Sequence, residues 1–251
     1  MKFIVFSAIM NYISTYSLRM IAENIQNIGE KLKNACIMAG RKPSDVQLIA
    51  VSKTFGTDAI TLAINAGILE FGENYVQELI EKRNALIDRN ILWHFIGHLQ
   101  SNKVKYLAEW IHMIHSVDSE GLAVEIEKRA AKAGRTIDIL IEVNTSEEAT
   151  KFGIRPNHAI ELVKAVSRFD HLNVKGLMTI GPFTDIVDES RAAFRLLRSI
   201  FNEVNNNGIG KHPMEILSMG MSHDYAAAIA EGSTMVRIGT AIFGSRTSQS
   251  N

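Results

Sequence analysis

Hydrophobic positions along the chain switch repeatedly between a spacing of three or four and short unbroken runs, and that switching predicts helices and buried strands in turn. Over residues 21–38 the apolar positions Ile21, Ile25, Ile28, Leu32, Ala35 and Met38 line one helical face, which Gly40 and Pro43 then end. Residues 47–54 follow with four aliphatic side chains leading straight into Lys53, the pattern of a fully buried parallel strand that ends in an amine. Thr57 and Asp58 read as the cap of a helix that runs to Asn65 and stops at Gly67. A second strand is expected over 68–71, then the loop Gly72-Glu73-Asn74 and a helix over 75–87. The alternation goes on with a strand at 92–97 and a helix from Ser101 or Asn102, then a strand at 111–117 and a helix at 119–133 closed by Gly134. A strand at 136–144 precedes a helix that Pro156 opens and that runs to about residue 169. Strand 172–179, helix 187–206, strand 214–219, a short helix at 223–230 and strand 234–238 complete the pattern.

Eight strand-helix units without a low-complexity linker predict a single (β/α)8 TIM barrel preceded by an extra N-terminal helix. A doubly wound sheet would need fewer strands, and no Gly-x-Gly-x-x-Gly follows the first strand. The barrel is expected over 20–245, with a polar tail at 246–251. Residues 1–19 imitate a signal peptide poorly, since the apolar run breaks at Asn11-Tyr12 and no small-x-small site follows. They are expected to be an extension that is untranslated or disordered, with translation starting at Met20. Intact mass of the native protein checks this, and a product beginning at Met1 would overturn it.

Composition narrows the partners. With 251 residues, 46% of them hydrophobic, one large core is affordable. Twenty-seven basic and 27 acidic residues leave no net charge, so neither nucleic acid nor a membrane surface is the expected partner. Cys36 is the single cysteine, which excludes an intramolecular disulfide and a cysteine-cluster metal site and predicts a reducing compartment, the cytoplasm. A monomer that binds a small molecule is expected.

Candidate chemistry lies at the strand ends, where a barrel of this kind gathers its ligands. Alone, Lys53 reads better as a surface lysine opening a loop. The loops after strands seven and eight reverse that balance. Ser218-Met219-Gly220-Met221-Ser222-His223-Asp224 leads into a helix, and Arg237-Ile238-Gly239-Thr240 ends the last strand. Gly220 and Gly239 allow backbone to approach an anion, while Ser222 and Thr240 offer hydroxyl donors, together a plausible phosphate cup. A phosphate-bearing ligand that also takes a buried amine suggests pyridoxal 5′-phosphate, whose aldehyde forms a Schiff base with lysine. Arg237 could then meet the pyridine nitrogen, which a guanidinium would keep unprotonated; a salt-bridged rim residue is nearly as good a reading.

Other clusters carry less. His94 and His98 stand four apart on a strand and its loop without an intervening Glu, so the zinc-protease pattern fails. His112 and His115 are expected on opposite faces of a strand. No metal is expected. The carboxylates of Val143-Asn144-Thr145-Ser146-Glu147-Glu148 read as solvated, and Met219 and Met221 as apolar walls or core.

Several long segments occur in one order: Leu48-Ile49-Ala50-Val51-Ser52-Lys53-Thr54, Phe71-Gly72-Glu73-Asn74-Tyr75-Val76-Gln77-Glu78, Trp93-His94-Phe95-Ile96-Gly97-His98-Leu99-Gln100-Ser101-Asn102-Lys103, Gly176-Leu177-Met178, Ser218-Met219-Gly220-Met221-Ser222, and Gly232-Ser233-Thr234-Met235-Val236-Arg237-Ile238-Gly239-Thr240-Ala241-Ile242-Phe243-Gly244. Across about 20–244 the chain thereby resembles the pyridoxal phosphate homeostasis protein family, whose members are similar to the N-terminal barrel of alanine racemase. The resemblance implies a cofactor held on Lys53 as an internal aldimine, its phosphate near Ser222, Gly239 and Thr240, and Arg237 at the ring nitrogen. It implies further that Asn74 and His94 lie near the cofactor, with Ser218, Met219 and Gly220 supplying the rest of the site. The family begins near Met20 and often carries a carboxylate where His223 stands.

Such a resemblance implies a role in intracellular pyridoxal phosphate (vitamin B6) homeostasis, without robust catalysis and with transient transfer to cofactor-dependent apo-enzymes. No catalytic residue is assigned. An amino-acid racemase is the alternative; it would need a second base, which alanine racemases take from an additional C-terminal domain, whereas only residues 245–251 follow the last motif here. A barrel that binds another phosphorylated metabolite is the third reading.

Overall fold

The computed structural model describes residues 2–146, 148, 151–184 and 186–245, with side chains from residue 20 onward. The tail expected at 246–251 and the loop carboxylate Glu147 lie outside the described residues.

Eight parallel strands close into a barrel in chain order: β1 Gln47–Val51, β2 Glu70–Glu73, β3 Leu92–Phe95, β4 Met113–Val117, β5 Ile137–Glu142, β6 Leu172–Met178, β7 Ile216–Ser218 and β8 Met235–Ile238. Closure is made by β1 against β8, where Ile49 stands opposite Arg237. The surrounding helices are α1 Lys2–Met38, α2 Thr57–Asn65, α3 Val76–Ala85, α4 Glu120–Lys132, α5 Ala159–Val166, α6 Val187–Asn206, α7 Tyr225–Ala230 and α8 Thr240–Phe243, with a 3-10 segment Ser101–Tyr106 between β3 and β4. The expected barrel and its extra N-terminal helix are both present.

Alternation along each strand sorts the apolar side chains into two layers. Ala50, Phe71, Phe95, Ile114, Ile139, Ile141, Leu177, Leu217 and Val236 belong to one continuous cluster with the helix faces, including Ile21, Ile25, Ile28, Leu32 and Cys36 of α1. A separate small cluster of Ile49, Met113, Leu140, Met178 and Met235 fills the barrel interior. Strands pack tightly enough that β6 needs glycine where it meets β7, because a Cβ on Gly176 would fall 1.8 Å from the Ile216 carbonyl oxygen. α1 is tied to the last unit by Asn24, whose Nδ2 donates to the Ile242 carbonyl at 2.9 Å.

Several expected boundaries shift. The first helix, expected from residue 21, extends back to Lys2. β1 stops at Val51, so Lys53 sits in the turn beyond the strand and not at its last residue. β2 begins two residues later than expected and takes in Gly72 and Glu73, which the sequence reads as loop. Glycine belongs there because a Cβ on Gly72 would stand 3.0 Å from both Ile49 Cγ2 and Ile96 Cδ1 inside the barrel. Gly56, with no side-chain hydrogen bond, is the N-cap of α2 in place of Thr57-Asp58. The helix expected from Ser101 is a 3-10 segment, and α8 was not foreseen.

Candidate functional site

Parallel closure brings every strand's C-terminal end to one mouth, and the candidate residues from β1, β2, β7 and β8 meet there. On the β1 side the backbone around Lys53 is fixed by charges that lie later in the chain. Lys82 of α3, buried, donates from Nζ to the Ser52 carbonyl, to Glu73 Oε1 and to Glu78 Oε1, each at 2.7 Å. Ser52 Oγ donates to Glu73 Oε1 at 2.5 Å, and the Thr54 amide donates to Glu78 Oε1 at 2.6 Å. The residues on both sides of Lys53 are therefore gripped by one ion-pair network. Thr54 has φ +70°, a left-handed conformation costly for a β-branched residue, and the network holds it there. Burial pushes the Glu73 carboxyl above its ordinary value against the pull of Lys82 and Ser52. Lys53 itself is half-buried.

At the end of β2, Asn74 has a buried Oδ1 without a hydrogen-bond partner, a polar atom aimed at nothing the protein supplies. Gly97 lets the next loop pass against it, since a Cβ there would lie 2.3 Å from the Asn74 carbonyl oxygen.

The β7 and β8 side is built from backbone. Gly220 has φ +94°, and a Cβ on it would collide with Ala228 Cβ at 2.6 Å, so loop and α7 can touch only through glycine. Its carbonyl accepts from the Arg237 amide at 3.0 Å, tying the two loops together. Asp224 Oδ1 holds the Met221 amide at 2.6 Å, and Ser222 Oγ accepts from the Ala241 amide at 3.4 Å. In the turn that Gly239 opens, the Ile242 and Phe243 amides donate to the Gly239 carbonyl, while those of Gly239 and Thr240 come before the first intrahelical bond. Gly220, Ser222, Gly239 and Thr240 thus line one edge of the mouth. Met219 is placed differently: its side chain packs in the outer hydrophobic layer.

Below them lies Arg237, 4% exposed. One Nη donates to the Ser218 carbonyl at 2.8 Å and to Ser218 Oγ at 2.6 Å, the other to the Thr179 carbonyl at 2.7 Å. Burial lowers its pKa to about 10 while Glu142 and Asp224 work to raise it, so it stays a cation at neutral pH. Burial, with Asp118 adding to it and Arg237 opposing, raises Glu142 to about 7.

Ser218 leads deeper. His115 Nδ1 is 3.2 Å from Ser218 Oγ, His94 Nδ1 is 2.9 Å from His115 Nε2, and His94 Nε2 is 3.2 Å from Glu70 Oε2. The last contact is off the line of a well-directed hydrogen bond and sets the ring edge against the carboxylate. Both rings are fully buried, and burial holds both below the ordinary imidazole pKa. The expectation that His112 and His115 face apart needs correction. His112 precedes β4, where alternation does not apply, and its ring lies 5.1 Å from that of His94, as does the ring of His115. His94 reaches the mouth only through His115 and Ser218. Sequence reasoning missed His115, Glu142 and the Lys82 network; the one available signal was that His115 shares the inward parity of Met113. Among the described residues no group of three or more His, Cys, Asp or Glu is arranged to hold a metal ion, and no helix is long and apolar enough to cross a membrane.

Comparison with known proteins adds an independent finding. A family model described as the alanine racemase N-terminal domain matches residues 17–247. The chain is 43% identical over 224 residues to the pyridoxal phosphate homeostasis protein of Aquifex aeolicus, covering 89% of this chain and 97% of that one. It is 41% identical over 226 residues to the protein of the same name from Pseudomonas aeruginosa, covering 90% and 96%. Among solved structures, PipY of Synechococcus elongatus with pyridoxal phosphate bound matches with a TM-score of 0.78 at 35% identity, over 89% of this chain and 100% of that one. An alanine racemase of Clostridium difficile matches with a TM-score of 0.70 at 17% identity, over 92% of this chain and 58% of that one, a likeness of fold alone.

Proposed function

Because the chain belongs to the pyridoxal phosphate homeostasis protein family, within the alanine racemase N-terminal domain fold, we propose that it binds pyridoxal 5′-phosphate covalently through Lys53. The observation that carries this reading is the meeting, at one mouth, of a half-buried lysine, a glycine-built cup and a buried guanidinium. These groups fit the cofactor. Lys53 would hold the cofactor through its amine, bonded to the cofactor's carbonyl carbon with water as the leaving group. The Gly239 and Thr240 amides and the Ser222 and Thr240 hydroxyls would hold the phosphate, with Gly220 giving it room. Arg237 would face the ring nitrogen as a fixed donor, and Asn74 Oδ1 offers an acceptor that the protein itself leaves unused. Ser218 and His94 serve from beneath. When bound, the cofactor supplies an electron-withdrawing ring.

A carrier is the reading we favour, without robust catalysis, acting in the cytoplasm as a monomer. Arg237 donates and cannot protonate the ring nitrogen, which keeps the ring a weak electron sink. The relatives near 40% identity bear the homeostasis name, whereas the racemases share only the fold. Hand-over to apo-enzymes finds support at the mouth, where the loops after β2, β5 and β6 expose Tyr75, Phe152, Ile180 and Phe183. The test is titration of the purified protein with pyridoxal phosphate, followed by visible absorption after exhaustive dialysis. The wild type is expected to retain a coloured band and Lys53→Ala to lose it; a colourless wild type would overturn the proposal.

A further inference from the structure

The barrel interior holds a feature the cofactor reading does not use. Between Arg237 at the mouth and Glu70 near the opposite end, where its side chain is 20% exposed, run three buried polar groups in line: Ser218, His115 and His94. A barrel core is ordinarily filled by aliphatic layers, and polar groups are kept in so dry a place only when each has a partner.

The direction of this line follows from one end. A guanidinium can only donate, so Ser218 Oγ accepts from Arg237, and the ring nitrogen in reach of its own proton is His115 Nδ1. His115 then accepts at Nδ1 and carries its proton on Nε2, where it donates to His94 Nδ1. His94 in turn carries its proton on Nε2, facing the Glu70 carboxylate. Glu70 is held in place by Gln47 of β1, whose Nε2 donates to the same oxygen. Cation, hydroxyl and two neutral imidazoles are thus joined head to tail, with the Glu70 carboxylate facing the last ring.

We propose that His115 and His94 are positioning residues: acting through Ser218, they hold the Arg237 guanidinium in one orientation by a hydrogen-bond chain that runs one way to His94, whose far nitrogen faces the Glu70 carboxylate. The role assigned to Arg237 rests on the cofactor reading; the chain itself does not. His112 and Gln47 face Glu70, His112 also faces both rings, and Glu142 and Asp224 face Arg237. All of these belong in any account of its pH response. Burial works to raise the Glu70 carboxyl, but the contacts with His94, Gln47 and His112 together lower it below its ordinary value, so Glu70 is a carboxylate at neutral pH.

Histidine tautomers test the chain in the protein without cofactor, by long-range 15N–1H correlation of 15N-histidine-labelled samples at neutral pH. Both His115 and His94 are expected as neutral Nε2–H rings; an Nδ1–H ring or an imidazolium at either position would overturn the proposal. Glu70→Leu removes the final acceptor at a partly exposed site that tolerates a change of side chain. It is expected to free the His94 tautomer and to average the Arg237 Nη resonances, while Glu70→Gln, which keeps a carbonyl acceptor, retains both signals. In the loaded protein Glu70→Leu is expected to move the pH at which the visible band titrates by roughly half a unit, with Glu70→Gln close to wild type. Glu70→Leu indistinguishable from wild type in the Arg237 resonances would overturn the positioning role. A wild type that takes up no cofactor would sink the cofactor reading instead, and the tautomers and Arg237 resonances would still decide the chain.

Discussion

The two sides of the mouth are built on different principles. On the β1 and β2 side the position of Lys53 depends on side chains far along the sequence: Lys82 grips Ser52 and reaches Thr54 through Glu78, and the strained Thr54 backbone stays where that grip puts it. On the β7 and β8 side the proposed anion cup is made of a few residues in two short loops, tied together through their backbone. A reactive amine must be aimed, and aiming takes remote charges. A phosphate needs only amides and room, which a short motif supplies.

Breaking the charged side is expected to have the largest effect. Lys82→Met leaves Glu73 and Glu78 buried or half-buried without their cation and should cost about 3–5 kcal/mol in urea unfolding. Adding Glu73→Gln should recover part of that loss; if the double variant is no more stable than the single, the network is not what holds the segment.

Beneath the backbone-built side, Glu142 gives a pH signature. Its folded pKa of about 7 lies above the ordinary 4.5, so between those values the folded chain binds more protons than the unfolded one. The stability it contributes is full below about pH 4.5 and is lost as pH rises through 7. Glu142→Gln should therefore stabilise the cofactor-free protein at pH 8 relative to pH 5, by about 3 kcal/mol at most. Parallel pH profiles for variant and wild type would contradict this.

Gly220→Ala sharpens the contrast at a single backbone position. Positive φ and the collision with Ala228 together predict a loss of roughly 1–3 kcal/mol and weaker cofactor retention. Smallest is Ser222→Ala, which removes one hydroxyl from the cup. About a fivefold loss of cofactor affinity is expected with little change in unfolding, since one hydrogen bond is worth about 1 kcal/mol.

How far each side could be read from the sequence follows from the same contrast. The place of the proposed cup was legible because Gly220, Ser222, Gly239 and Thr240 sit in two short loops at strand ends that the hydrophobic pattern locates. The barrel was legible too, because burial on both faces gives each strand an apolar run. Lys53 was legible as a residue but its grip was not, since Lys82 reads as one more charge on an amphipathic helix. Gly72 and Glu73 read as loop in the sequence because glycine commonly breaks strands; in the barrel Gly72 thins β2 where Ile49 and Ile96 crowd the interior. His115 was passed over because period-two alternation was carried one residue beyond the start of β4, to His112. Polar chains inside a barrel leave no periodic trace, since each member is a single inward position on a different strand.

The most direct measurement is borohydride reduction of the protein loaded with pyridoxal phosphate, followed by peptide mass mapping. A pyridoxyl mass on Lys53, accompanied by loss of the visible band, is the predicted result. A pyridoxyl mass on another lysine only, or on none, would contradict the account.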